Sequence, residues 1–188
     1  MDELIKGRME EGEKILWQGG TEAIEALDKT NKKRFWVTLA ICAVLAVVIN
    51  ALYITNVKGE VKPAVIVIIL LLCAFAPLRR ILDASAVRKL RYVVTDKRLM
   101  IVSTEAKAVL LSRIPVCALR SDEDGHLSFL AGENALKAKS SHWRDLALTG
   151  QPNSADVDEP VDGVAFYAVA DKAGLRKVIR QVLPQVQD

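Results

Sequence analysis

The run FWVTLAICAVLAVVINALYI, from Phe35 to Ile54, is twenty residues without a charge. As a helix it would be about 30 Å long, the thickness of a bilayer's hydrocarbon core. A second run, PAVIVIILLLCAFAPL from Pro63 to Leu78, reaches spanning length when the helix continues through Arg79 and Arg80 to Leu82, with the arginines snorkelling to the headgroups. Two membrane spans, 35–55 and 63–82, are therefore expected. Pro63 suits a first helical turn, where its missing N–H costs nothing, and Pro77 is placed to kink the helix as it leaves the membrane. The first run starts too late and is too long for a secretory signal peptide, lacks a convincing cleavage site and is closely followed by a second span, so both helices are expected to stay in the mature chain.

Only NVKGEVK, Asn56 to Lys62, joins the two runs, a length that admits a tight antiparallel hairpin with both termini on one side. Basic residues mark that side. Lys29, Lys32, Lys33 and Arg34 precede the first span, and Arg79, Arg80, Arg88, Lys89 and Arg91 follow the second, whereas the connecting loop carries only Lys58 and Lys62. By the positive-inside rule both termini are expected to be cytoplasmic. Trp36 and Tyr53, near opposite ends of the first span, suit interfacial anchors.

Apart from Arg79 and Arg80 at the end of the second, neither span holds a charged residue, so a transporter or channel pathway would have to be assembled by oligomerisation. Asn50 is the one strongly polar residue in the spans. Two readings are open for it: a helix-to-helix hydrogen bond, or an amide near the outer headgroups. With Ala43, Ala46 and Ala51 it could also serve a homo-oligomer contact. The 26 Lys and Arg against 23 Asp and Glu leave a formal charge of +3, too even a balance for a dedicated nucleic-acid binder. Cys42, Cys73 and Cys117 are too scattered for a disulfide framework and read as packing residues.

From Val87 onward the pattern changes to short β-branched runs separated by turn residues, the signature of a small antiparallel sheet. RYVVT (Arg91 to Thr95) and RLMIVS (Arg98 to Ser103) form a hairpin around Asp96 and Lys97. Further strands are expected near Val109, near Val116, at His126 to Ala131 and at Val164 to Val169, with Gly125 in the SDEDG turn supplying a positive φ. Asp171 is placed to cap a closing helix whose Leu175, Val178, Ile179, Val182 and Leu183 recur on one face, with Lys172, Arg176, Lys177 and Arg180 filling a solvated one. Gln151 to Gly163, with two prolines and four acids, reads as an exposed loop. In the N-terminal segment, 1–34, Met1 to Glu13 suits a short helix, Lys14 to Gln18 a strand able to pair with the later sheet, and Thr21 to Arg34 a helix leading into the first span.

Two of these pieces resemble a known family. RYVVTDKRLMIV, Arg91 to Val102, and EGEKILWQGG, Glu11 to Gly20, are similar to motifs of the bacterial pleckstrin-homology-like, membrane-flanked domain proteins. The family's usual proline after the second motif is replaced here by Gly20 and Thr21. The resemblance implies an α+β membrane protein: a two-helix transmembrane hairpin and, over 83–188, a cytoplasmic PH-like split β-barrel of seven strands capped by the C-terminal α-helix. Bacterial members of this kind look like protein-interaction modules.

Nothing in the chain suggests catalysis. His126 and His142 stand far apart, the adjacency of Ser140, Ser141 and His142 is no charge-relay geometry, and no GxxxxGK[ST], GxGxxG or HExxH motif occurs. No cofactor or metal site is expected. What remains is a basic belt, Arg79, Arg80, Arg88, Lys89, Arg91, Lys97 and Arg98. Its plain role is to hold orientation and pair with anionic headgroups at roughly 1 kcal/mol each. Its sharper one is headgroup recognition by Lys97 and Arg98 at a hairpin tip. The expected function is thus a non-enzymatic inner-membrane protein whose cytoplasmic domain recruits or scaffolds a protein partner. The alternative is a sensor of anionic lipid headgroups.

Overall fold

A computed structural model describes residues 2–150, 161 and 163–187. Helix α1 (Asp2–Lys6) and strand β1 (Ile15–Gly20) precede two long helices, α2 (Lys29–Asn56) and α3 (Pro63–Val87), packed as a hairpin. Next come β2 (Arg91–Thr95), β3 (Arg98–Val102), β4 (Ala106–Leu110), a 3-10 turn at Leu111–Arg113, β5 (Cys117–Ser121), β6 (Leu127–Ala131), α4 (Glu133–Lys137), α5 (Ser140–Thr149), β7 (Val164–Phe166) and α6 (Lys172–Val182). The acidic loop expected at Gln151 to Gly163 lies outside the described residues, apart from Val161 and Gly163.

The long helices are apolar, with mean hydropathy of 2.5 and 2.4 over their best windows, and they turn that apolarity outward. Val47 is 70% exposed and Leu72 69%. Water would not tolerate so continuous an apolar surface, so the hairpin is consistent with a pair of membrane spans. Both helices outrun the limits expected from hydropathy alone. Helix α2 starts at Lys29 because Asp28 caps it, accepting from the Asn31 amide at 2.7 Å. Helix α3 runs unbroken through Pro77 to Val87, where the hydroxyl of Thr21 donates to the Val87 carbonyl at 2.8 Å.

The helix expected from Thr21 is shortened at its start for a tertiary reason. Backbone groups of Glu22 to Ala26 are taken by distant partners: the Glu22 amide donates to Ala168, Arg88 donates to the Ile24 carbonyl, and Arg144 donates to those of Glu25 and Ala26. Ile24 is at the same time drawn into the core at 1% exposure. Helical propensity is a weak prior, and here burial overrides it.

Among the described residues, seven strands form two antiparallel sheets, ordered β1-β2-β3-β4 and β5-β6-β7. Strand β1 lies before the helical hairpin and β2 after it, yet the two pair side by side from Gly20↔Arg91 to Ile15↔Thr95 with one bulge. The two sequence pieces that carry the family resemblance are therefore neighbours. The expected strand at Val164 to Val169 is split: β7 ends at Phe166 and Ala168 adopts a φ of 50°, after which Val169 donates its amide to the Leu127 carbonyl of β6 at 2.9 Å and also bridges Thr21. One stretch thereby joins both sheets. The outer edge of β5 is covered by the tail, where the Leu119 amide donates to Gln187 at 2.7 Å and that of Gln187 to Cys117 at 3.0 Å.

Between the sheets lies a core that includes Tyr92, Phe129, Phe166 and Leu175. Tyr92 stacks on Phe166 with ring centroids 4.6 Å apart. Helix α6 closes the core with Leu175, Val178 and Ile179, and its cap, Asp171, accepts from the Gly174 amide and the Trp17 indole, both at 2.9 Å. A smaller apolar cluster forms where Ile5 of α1 packs with Val93, Met100, Val102, Ala106 and Ala108. The Tyr92 hydroxyl donates to the Tyr167 carbonyl at 3.0 Å and accepts from the Tyr167 amide at 3.1 Å. Tyr92→Phe would strand two buried backbone groups, and a loss of about 1–3 kcal/mol is expected, measurable by guanidinium unfolding of the full chain in detergent micelles.

Candidate functional site at the mouth of the hairpin

Helix α5, within a stretch with no expected secondary structure, lies against α2, α3 and β7. Two consecutive residues fix it. Asp145 sits between Arg34 of α2 and Arg80 of α3, at 2.8 and 2.9 Å. Arg144 points into the protein, where its guanidinium donates to Asp28 Oδ2 at 2.6 Å, to the carbonyls of Glu25 and Ala26 at 3.2 Å each, and lies 5.8 Å from the centre of the Tyr167 ring. One turn of α5 thus pins both long helices and the segment leading into them.

Around Asp28 a polar knot continues. Asp124, in the β5–β6 turn, accepts from the Thr30 amide at 2.9 Å, the Thr30 hydroxyl at 2.8 Å and the Lys29 amide at 3.3 Å. The first turn of α2 therefore receives two carboxylates, which favour the positive end of its dipole. His126 Nδ1 lies 3.1 Å from Asp122, whose carboxylate also accepts from the Tyr167 hydroxyl at 3.2 Å. The ligand atoms of Asp28, Asp124 and His126 lie within 4.8 Å of one another, a spacing a metal ion could use. Their hydrogen bonds argue otherwise. Asp28 is taken up by Asn31 and Arg144, and Asp124 by Thr30 and Lys29, so a cation would displace a guanidinium and uncap a helix.

Burial pushes the Asp124 carboxyl up, but the hydrogen bonds from Thr30 and Lys29 and the nearby His126 outweigh it and hold the group below its ordinary value. A carboxylate depressed by folding contributes stability above its unfolded pKa and loses it as pH falls through the folded one. Acidification below about pH 4 is therefore expected to loosen the start of α2. Asp124→Asn should flatten that acid limb, read by amide hydrogen exchange at Lys29 and Thr30 as a function of pH.

Of the belt read from the sequence, much is used within the protein. Arg98 is buried, with its guanidinium on Glu10, on the Arg8 carbonyl at 2.8 Å and 3.5 Å from Glu13. Lys97 is exposed and paired with Glu10 at 2.9 Å. Both lie at the far end of β2 from the helices, where the Thr95 hydroxyl accepts from the amides of Lys97 and Arg98 and Asp96 accepts from that of Lys14. Arg80 is held by Asp145 and Arg88 by Ile24. Arg79 is exposed with Asp83 4.0 Å away, and Lys89 and Arg91 are exposed. The Asn50 amide donates to the Ala46 carbonyl at 2.8 Å, within its own helix.

Clefts open on either side of α5. One, of about 400 Å³, lies against α3, and its Arg79 and Arg80 are balanced by Asp83 and Asp145. The other, of about 610 Å³, lies between the start of α2 and the amino end of α5, lined by Lys29, Lys33, Arg34 and Lys139 with Glu123 as its acid. His142, on that lining, is held below the usual imidazole range by burial and then by the Arg34 guanidinium. Sequence reading used Lys29, Lys33 and Arg34 only to orient the spans and did not single out Lys139, because it lies over a hundred positions along the chain. Family models, curated proteins and solved structures were compared with the chain, and none matches.

Proposed function

We propose that the chain is a non-enzymatic membrane protein whose soluble part is a PH-like domain that recruits a protein partner and holds it at the bilayer. The observation that carries this reading is the insertion of the helical hairpin between paired strands β1 and β2. A domain hung on a linker can rotate, whereas one whose own sheet emits the spans, braced by Asp145 on Arg34 and Arg80, presents fixed surfaces at a fixed height. Four strands and three strands in two antiparallel sheets, closed by a terminal helix, agree with the split barrel that the Arg91 to Val102 and Glu11 to Gly20 motifs imply. The flanking arginines and lysines favour a bacterial inner membrane with both termini cytoplasmic. The carboxylates around His126 are spent on caps and ion pairs, which supports a binding role over a catalytic one.

Affinity capture of the tagged full-length chain from crosslinked native membranes tests the reading. The control is the full-length Phe166→Asp variant, whose buried charge disrupts the soluble core while leaving the spans intact. Proteins retained by the first bait and lost from the second are the expected result. Identical sets from both baits, or no reproducible capture, would overturn the proposal.

A further inference from the structure

Lys29 and Lys33 stand four residues apart and so share one face of α2, and Lys139 faces them across the cleft from the amino end of α5. All three are exposed, and among the described residues none of their ammonium groups has a partner. Arg34, on the same lining, is already held by Asp145. Among the described residues, the amides of Ser140 and Ser141 make no backbone bond and α5 has no side-chain cap. Three free cations and two free amides thus converge on one open space against a single carboxylate, Glu123. Like charges held together repel, and an anion seated among them relieves that repulsion.

The position of the cleft narrows the choice of anion. Lys33 is two residues and Lys29 six before the uncharged run that starts at Phe35, so they stand about 3 and 9 Å along α2 from the hydrocarbon edge, within side-chain reach of the headgroup layer. Val37 and Thr38 extend the lining up the first span, and Val37 is 50% exposed. A phosphate in the cleft therefore has an apolar wall rising from it, where an acyl chain can lie. We propose that this cleft binds the phosphate of an anionic phospholipid taken from the adjoining leaflet. A soluble phosphate shares the headgroup chemistry but leaves the apolar wall empty.

The test uses the full-length protein in detergent micelles, offered phosphatidylglycerol and phosphatidylcholine of matched acyl chains, with retained lipid counted by native mass spectrometry. Selective retention of phosphatidylglycerol is expected. The triple variant Lys29→Gln, Lys33→Gln, Lys139→Gln should weaken it by about fivefold per lysine, on the order of a hundredfold in all. The corresponding triple arginine variant should keep it, and so should Lys58→Gln with Lys62→Gln in the loop at the other end of the spans. Equal retention of the two lipids, no loss in the glutamine triple, or equal loss in the loop pair would overturn the proposal. Excess inorganic phosphate should leave the lipid bound; if it empties the cleft, the occupant is a soluble phosphate and the lipid assignment falls.

Discussion

Arg144→Leu is expected to destabilise the soluble part by about 3–5 kcal/mol, the range for removing one partner of a buried ion pair. Arg144 and Asp28 each retain 4% side-chain exposure, so the carboxylate left behind could not recover its hydration. The same change releases the carbonyls of Glu25 and Ala26 from their donors. A stability of roughly 5–15 kcal/mol for a small domain would lose a large share. The measurement is guanidinium unfolding in detergent, followed by tryptophan fluorescence, because Trp143 is buried one residue away. The double variant with Asp28→Asn should recover part of the loss, since it removes the stranded charge as well. A double variant no more stable than Arg144→Leu alone would show that the pair is not the source of the cost. By contrast, Asp145→Asn acts on pairs whose side chains are about a quarter to a third exposed, and its effect should stay below about 1 kcal/mol.

The second large effect is expected from Phe166→Ala, at about 3–5 kcal/mol. Phe166 is fully buried, stacks on Tyr92 and meets Phe129 edge-on at 5.8 Å between ring centres. It thereby links β2 of one sheet to β6 of the other, and removing its ring leaves a cavity among these side chains. Phe166→Leu, which leaves a smaller void, should cost distinctly less in the same unfolding experiment; equal costs would mean that ring stacking rather than cavity volume sets the loss.

The reach of sequence reasoning differed from element to element. The two long apolar helices were legible because hydropathy is a local property, summed over twenty adjacent residues and indifferent to the rest of the chain. The hairpin at Asp96 and Lys97, the positive φ of Gly125 and the Asp171 cap were legible for the same reason: turns and caps are decided within a few residues. Helix α5 was not read, because its buried face includes Arg144, a charged residue that scores as solvent-facing until its partner Asp28 is known. Lys97 and Arg98 looked like a free basic tip because Glu10 and Glu13, which hold them, come from more than eighty positions earlier.

What the sequence by itself determined is a pair of apolar helices, each long enough to cross a bilayer, joined by a connection short enough to make them a hairpin. Its strand and helix signals also set the α+β character of the region beyond the spans. Only the tertiary structure decided that the segment before the long helices completes the sheet after them, and which cations are spent and which remain free. The physical reason is range. Hydrophobic length and turn chemistry act between neighbours in sequence, whereas an ion pair or a strand pairing depends on where the fold delivers its two halves. The cleft beside α5 is of that second kind, built from a lysine pair at the start of α2 and a third lysine brought to it by the fold.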